Sequence, residues 1–180
     1  MGKETSLRVK KDGKSQGRKH RMENLKSYLN DHLAGSVGAL ELLDRLMKTY
    51  EGNPLGRFFG ELRDEIEVDQ KALKDLIASL GEEESTVRKA GAWVMEKVSR
   101  AKIQLNETGE EKAGLFLALE GLALGITGKR ALWRALATAS KTALHLRGPD
   151  YAKLEERAIE QHRRVEAKRL EAASEVFNSN

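Results

Sequence analysis

The chain has 180 residues, of which 39% are hydrophobic and 33% charged, a composition that fits one globular domain. It contains no cysteine, which excludes disulfides, thiol catalysis, thiolate zinc sites and iron–sulfur clusters. No apolar run reaches the roughly 18 residues that span a bilayer, and the start of the chain lacks the apolar core of a signal peptide. We therefore expect a cytoplasmic protein with no membrane partner.

Residues 1–21 carry most of the positive charge. They hold eight Lys or Arg residues against Glu4 and Asp12, whereas the whole chain has a net charge of +4, so the remainder is slightly acidic. A domain that binds duplex nucleic acid usually concentrates basic charge on its folded surface. We therefore predict a disordered basic tail over residues 1–21 and a helical bundle over 22–180. Weak, salt-sensitive nucleic-acid association through the tail is a functional alternative.

The first two predicted helices form a hairpin. From Met22 to Tyr50 apolar residues recur at spacings of three and four, as on one face of a helix, and Gly52 ends this segment. A second helix is predicted from Pro54 to about Leu80, behind an Asn53 N-cap and with Gly81 as its C′ residue. Because the link between the two helices is so short, they must pack antiparallel.

The middle of the chain predicts a crossover followed by a third long helix. A shorter amphipathic segment between Ser85 and about Leu105 is predicted to be a connecting helix that carries the chain back across the bundle. Thr108 and Glu111 have the spacing of a capping box. They open a helix that we expect to continue to about Leu144.

The last predicted helix completes the fold class. The RGPD run at 147–150 interrupts the helical pattern, and Asp150 can cap a fourth helix that extends to about Phe177. Four long helices with a long crossover between the second and the third are typical of ferritin-like proteins rather than of simple up-and-down bundles. We therefore predict an all-α, ferritin-like four-helix bundle with an extra helix in the crossover.

The third predicted helix combines a stripe of small residues with an apolar first half. The stripe consists of Gly114, Ala118, Gly121, Gly125 and Gly128. Since glycine inside a helix costs about 1 kcal/mol relative to alanine, its repeated use indicates the close approach of another backbone. A helix that is apolar almost all round is expected to contact protein on several sides. The candidate partners are the central bundle, the crossover helix and a second subunit. We predict a homodimer that forms through this helix.

Several polar residues interrupt the apolar helix faces and are candidate metal ligands. Carboxylates and imidazoles from facing helices build iron and manganese sites in bundles. No Glu-x-x-His occurs in the chain, so a standard di-iron centre is not expected. A mononuclear or degenerate iron or manganese site would use some of the following residues: His32, Asp69, Glu120, His162 and Glu166.

The preferred prediction for the same residues is a buried hydrogen-bonded network. Arg169, which is always protonated, would pair with Glu166 on its own helix or with Asp69 across the core, and His32 would complete the set. A fixed cation in this layer opposes the binding of a divalent ion. We therefore expect a non-catalytic structural or interaction protein with no cofactor, and a metal-binding redox protein is the alternative.

Glu120 lies within the apolar run LFLALEGLALGITG, from Leu115 to Gly128. A carboxylate surrounded by apolar residues needs a partner, because burying an unpaired charge is costly. In the network hypothesis, we expect Glu120 to meet Lys129, Arg134 or a partner chain.

Three segments of the sequence resemble those of a known group of proteins. They are YLNDHLAGSVGALELL at 28–43, LEGLALGITGKRALWRAL at 119–136 and RRVEAKRLEAA at 163–173. Together they resemble an uncharacterised bacterial family of the ferritin-like superfamily, over about residues 24–177. The resemblance implies a ferritin-like fold. It implies no specific activity, although ferritin-like relatives often bind di-iron centres.

Overall fold

The computed structural model describes residues 3–81 and 110–178, and the regular structure in these two ranges is helical. The α-helices are α1 (Lys3–Thr49), α2 (Pro54–Ser79), α3 (Glu110–Ala139) and α4 (Tyr151–Phe177), with a 3₁₀ turn at Leu144–Leu146. No strand occurs in the described ranges, which confirms the predicted all-α class. The predicted connecting helix between Ser85 and Leu105 and the Thr108 cap lie outside the described residues.

The hairpin of α1 and α2 has the caps that the sequence predicts. Asn53 accepts a hydrogen bond from the backbone N–H of Leu55 at 2.9 Å, and Pro54 opens α2. Gly52 and Gly81 both have φ of +77°, the left-handed conformation that lets glycine end a helix. The predicted bounds of α2 are therefore confirmed to within one residue.

α1 is longer than the predicted first helix. Its 47 residues begin at Lys3, so its backbone includes most of the basic segment, residues 1–21, for which we predict a disordered tail. Lys and Arg are good helix formers, and a helix that is already nucleated by its packed second half can extend through such residues at little cost.

α3 ends five residues before the predicted position near Leu144. Three hydroxyl side chains bond to carbonyls in or beside the last turn: Thr138 to Arg134, Ser140 to Ala137 and Thr142 to Ala139. Such bonds compete with the regular helical pattern.

Asp150 caps α4 by accepting from the N–H of Lys153 at 3.1 Å, as predicted. In the described part of the chain, α3 included, no helix has both the length and the apolar content to cross a bilayer.

The core lies between two antiparallel hairpins. α1 packs on α2, α3 packs on α4, and α1 also approaches α3. The side chains that fill the centre are almost entirely aliphatic and aromatic, as expected for a helical bundle. Its largest fully buried members are Trp133, Phe59, Leu29, Leu33, Leu43, Leu46, Leu62, Leu119, Leu132, Leu136 and Leu146.

Alanine substitutions at two helical glycines are expected to change the free energy of unfolding in opposite directions. A Cβ at Gly56 would lie 2.3 Å from the backbone oxygen of Tyr50, whereas a Cβ at Gly125 would meet nothing within 4 Å. Gly56→Ala should lower the free energy of unfolding by about 1–3 kcal/mol, because the start of α2 must shift. Gly125→Ala should raise it by up to about 1 kcal/mol. Urea unfolding of both variants checks this pair, and equal effects would contradict it.

Candidate functional site

A polar network centred on Asp69 joins three helices in the core. Asp69, on α2, is only 2% exposed. Lys129 on α3 donates to its Oδ2 at 2.5 Å, and from α4 Arg157 Nε donates to its Oδ1 at 2.7 Å and Gln161 Nε2 to its Oδ2 at 3.3 Å. Lys129 also donates to Gln161 Oε1. We call these four residues the Asp69 network, and it connects the α1–α2 hairpin to the α3–α4 hairpin.

The Asp69 network contains two cations and one carboxylate. Burial lowers the pKa of Lys129, and Arg157 lowers it further, whereas the Coulomb attraction and hydrogen bond of Asp69 act in the opposite direction. The desolvation of an ammonium group is therefore only partly offset by its partner. The network carries an excess of positive charge when Lys129 is protonated.

A second, separate cluster surrounds Arg169 on α4. Its Nε and one terminal nitrogen each donate to a carboxylate oxygen of Glu166 at 2.7 Å, and the other terminal nitrogen lies 3.5 Å from Glu120 Oε2. The hydrogen bond from Arg169 lowers the pKa of Glu166. The guanidinium carbon also lies 5.6 Å from the ring centroid of Phe116. The predicted Arg169–Glu166 pair is present, but Arg169 does not bond to Asp69.

The partner of Glu120 differs from those we expected. Lys129 is nine positions further along α3 and Arg134 fourteen, which correspond to about 14 and 21 Å along a helix axis. Neither side chain can bridge such a separation on one helix. Glu120 instead contacts Arg169 from the neighbouring α4.

The predicted metal ligands lie in three different places. Asp69 is in the core network, and Glu120 and Glu166 share Arg169, with His162 close enough to lower the pKa of Glu166. His32, on α1, packs edge-on against the Tyr28 ring at 4.7 Å, and burial lowers its pKa. Within residues 3–81 and 110–178, no three His, Asp or Glu side chains are grouped so that they could hold a metal ion.

Sequence reasoning missed three members of the Asp69 network, although a signal for two of them was present. Lys129 continues the spacing of Leu122, Ile126 and Trp133 on the buried face of α3. Gln161 similarly falls between Ala158 and Val165 on the buried face of α4. Polar residues at core positions of two helices therefore indicated partners for Asp69. Arg157 lies beside this face and reaches inward with a long side chain.

A groove of about 710 Å³ opens between α1, α2 and α3. Asp69 and Lys129 lie at its polar part, and Trp133 also lines it. Trp133 is 1% exposed, and its indole Nε1 finds no hydrogen-bond partner among the residues that the structure describes. A buried N–H without an acceptor costs about 1–3 kcal/mol. The groove therefore combines apolar walls with a polar part at Asp69 and Lys129.

The solvent-exposed side of α3 contains an apolar strip, beside which Thr127, Arg130 and Arg134 are also exposed. Leu117 and Leu124 are 56% and 69% exposed, and Gly121, Ala131 and Ala135 are also exposed. With the half-buried Gly128 they recur at spacings of four and three, the repeat of a coiled-coil seam. We call these six residues the α3 outer face. Such a seam is typical of a helix that packs against another helix.

The chain matches no model of a known protein family, no curated protein and no solved structure. The resemblance to the ferritin-like family therefore stays a prediction.

Proposed function

We propose that this chain is a non-catalytic interaction protein, a helical scaffold that forms a homodimer through the α3 outer face. The observation that carries the proposal is the exposed, uncharged seam on α3, with Leu124 69% exposed. Isolated exposed leucines are ordinary on protein surfaces. A heptad-spaced row without an intervening charge is not, and it favours a protein partner.

The order of residues in the seam favours an antiparallel, two-fold symmetric contact between copies. A two-fold axis near residue 126 places each leucine opposite a small residue. The opposed pairs are Leu117 with Ala135, Gly121 with Ala131, and Leu124 with Gly128. In a two-fold contact the same patch must complement itself, and this seam does so because neither leucine faces another leucine. Glycine at two of the six positions permits close approach of the backbones.

We also propose that the bundle has the ferritin-like arrangement, with a long connection between α2 and α3. Two observations support this. α1 and α2 are joined by a short link and pack on each other, α3 packs on α4, and the chain between Gly81 and Glu110 is long enough to cross the bundle. An experimental structure in which that connection links α2 to α3 without crossing would contradict the proposal.

Leu124→Glu is expected to separate the dimer into single chains. The substitution would place a carboxylate in the centre of the proposed seam, where it would lie against its partner's apolar residues. Light scattering after size-exclusion chromatography at micromolar concentration should give the mass of two chains for the wild type and of one chain for the variant. Leu144→Glu is the matched control, because Leu144 is 68% exposed but lies in the 3₁₀ turn away from α3. A monomeric wild type would contradict the proposal.

Engineered cysteines test the antiparallel orientation. The chain has no native cysteine, so any cross-link must come from the introduced residues. An equimolar mixture of Leu124→Cys and Gly128→Cys chains should form a disulfide-linked dimer under mild oxidation, because these positions are opposed. A mixture of Leu117→Cys and Leu124→Cys chains should not. Equal yields from both mixtures would contradict the proposed orientation.

A further inference from the structure

The groove between α1, α2 and α3 has the size and lining of a small-molecule site. Its volume of about 710 Å³ falls within the range of about 300–1,000 Å³ that is usual for such sites. The walls include six aliphatic side chains: Leu42, Ile66, Leu73, Leu122, Ile126 and Leu132. Four glycines also line it, and a Cβ at any of them would meet nothing within 4 Å: Gly35, Gly121, Gly125 and Gly128. The absence of side chains at these positions therefore contributes to the open space.

The ammonium group of Lys129 lies at the polar end of this groove. It donates to Asp69 and Gln161, which leaves its third N–H for another acceptor. Trp133, one helical turn further along α3, also lines the groove, but its Nε1 is buried. An acceptor group in the groove can therefore reach Lys129.

The excess positive charge of the Asp69 network favours an anionic acceptor in the groove. Lys129 and Arg157 are both bonded to the single carboxylate of Asp69. The adjacent Glu65 is already paired with Arg164. Lys129 and Arg157 thus carry one positive charge more than Asp69 balances, partly exposed to solvent through Arg157, and an anionic oxygen group would balance it. Asp31 also lines the groove, but its side chain is exposed.

We propose that the groove binds an amphiphile with one carboxylate and an unbranched hydrocarbon chain. The carboxylate accepts a hydrogen bond from Lys129 Nζ, and the hydrocarbon chain lies along the aliphatic walls that α1, α2 and α3 supply. The exposed carboxylate of Asp31 at the same groove disfavours a second negative group on the ligand. This inference goes beyond the proposed homodimer and does not rest on it. Gly121 and Gly128 belong to both the groove lining and the α3 outer face, so the oligomeric state is measured together with binding.

Titration with dodecanoate tests the proposal directly. In a Trp93→Phe background Trp133 is the remaining tryptophan, so its fluorescence reports on the groove. Below the critical micelle concentration, dodecanoate should bind saturably at one molecule per chain and change this fluorescence. Dodecanol and dodecyltrimethylammonium, which have the same hydrocarbon chain, should bind at least about tenfold more weakly, or about 1.4 kcal/mol. Light scattering of the same samples keeps this result separate from the oligomeric state.

Two variants locate the site. Gly125 lines the groove, and a Cβ there would meet nothing within 4 Å, so Gly125→Leu should place an apolar side chain in the groove and abolish dodecanoate binding. Cooperative thermal unfolding of this variant checks that it folds. Lys129→Met should reduce the preference for dodecanoate over dodecanol to near unity, whereas Lys71→Met, which changes an exposed lysine of α2, should preserve it. Calorimetry that shows no saturable dodecanoate binding to the wild type, equal binding of dodecanol, or wild-type affinity in Gly125→Leu would each overturn the proposal.

Discussion

Replacing Asp69 with Asn is expected to lower the free energy of unfolding by about 3–5 kcal/mol, the usual cost of removing one partner from a buried ion pair. Asp69 is 2% exposed and bonded to Lys129, Arg157 and Gln161. Asparagine has nearly the same shape, so the loss comes from two cations that remain in the core without a carboxylate rather than from a cavity. Urea unfolding followed by circular dichroism measures the change.

The matched control is Asp75→Asn, also on α2. Asp75 accepts a hydrogen bond from Lys71 at 2.8 Å, but both side chains are exposed, so the expected loss is about 0.3–0.5 kcal/mol. The double variant Asp69→Leu, Lys129→Met should be more stable than Asp69→Leu alone, because it removes the buried ammonium together with its partner. A loss below 1 kcal/mol in Asp69→Asn would show that the network does not join the hairpins.

The stability deficit of Asp69→Asn is expected to shrink as the pH rises. Burial lowers the pKa of Lys129 in the folded protein, and Asp69 opposes this shift. Without Asp69 the folded-state pKa falls further below the unfolded-state value. The unfolded chain then binds more protons between these two values, so the stability of the variant rises with pH across that interval. Unfolding curves at neutral and alkaline pH measure the trend, and a deficit that grew with pH would contradict it.

Phe59→Ala is expected to cost a comparable amount, about 3–5 kcal/mol, through loss of packing. Phe59 is fully buried on α2, and its ring lies 5.3 Å from that of Phe58 and 6.0 Å from that of Tyr50. Truncation leaves a cavity beside the link between α1 and α2. Both the transfer of the ring from water and its aromatic contacts are lost. Thermal and urea unfolding measure the effect.

Phe177→Ala provides the control for Phe59→Ala. Phe177 ends α4 and is exposed, although its ring lies 5.5 Å from that of Phe116. Its removal should change the free energy of unfolding by less than about 0.5 kcal/mol, since little surface is buried there. If the two substitutions had equal effects, the core would not be centred where the structure places it.

The local features of this fold were predictable because they depend on neighbouring residues. Asn53 and Pro54 set the start of α2, Gly81 sets its end, and Asp150 caps α4. Each of these signals acts through hydrogen bonds or dihedral angles within a few residues. The end of α3 was placed too late because the hydroxyl residues near Ser140 compete for carbonyls, an effect that hydrophobic periodicity does not contain.

The pairing of the polar residues was predicted only in part. Arg169 and Glu166 lie three apart on one helix, so their contact follows from helix geometry alone. Asp69 instead accepts hydrogen bonds from residues that are 60, 88 and 92 positions away in the chain. Lys and Arg side chains are long and flexible, so several cations on facing helices are possible partners for one carboxylate.

The sequence by itself determined the all-helical class, the short link that pairs α1 with α2 and the caps that begin α2 and α4. Only the tertiary structure decided that Lys129, Arg157 and Gln161 surround Asp69, and that α1 and α3 stand far enough apart to leave a groove. The physical reason is that hydrophobic periodicity fixes which side of a helix faces inward. It does not fix how far one helix is displaced along another, and that displacement determines which long side chains meet.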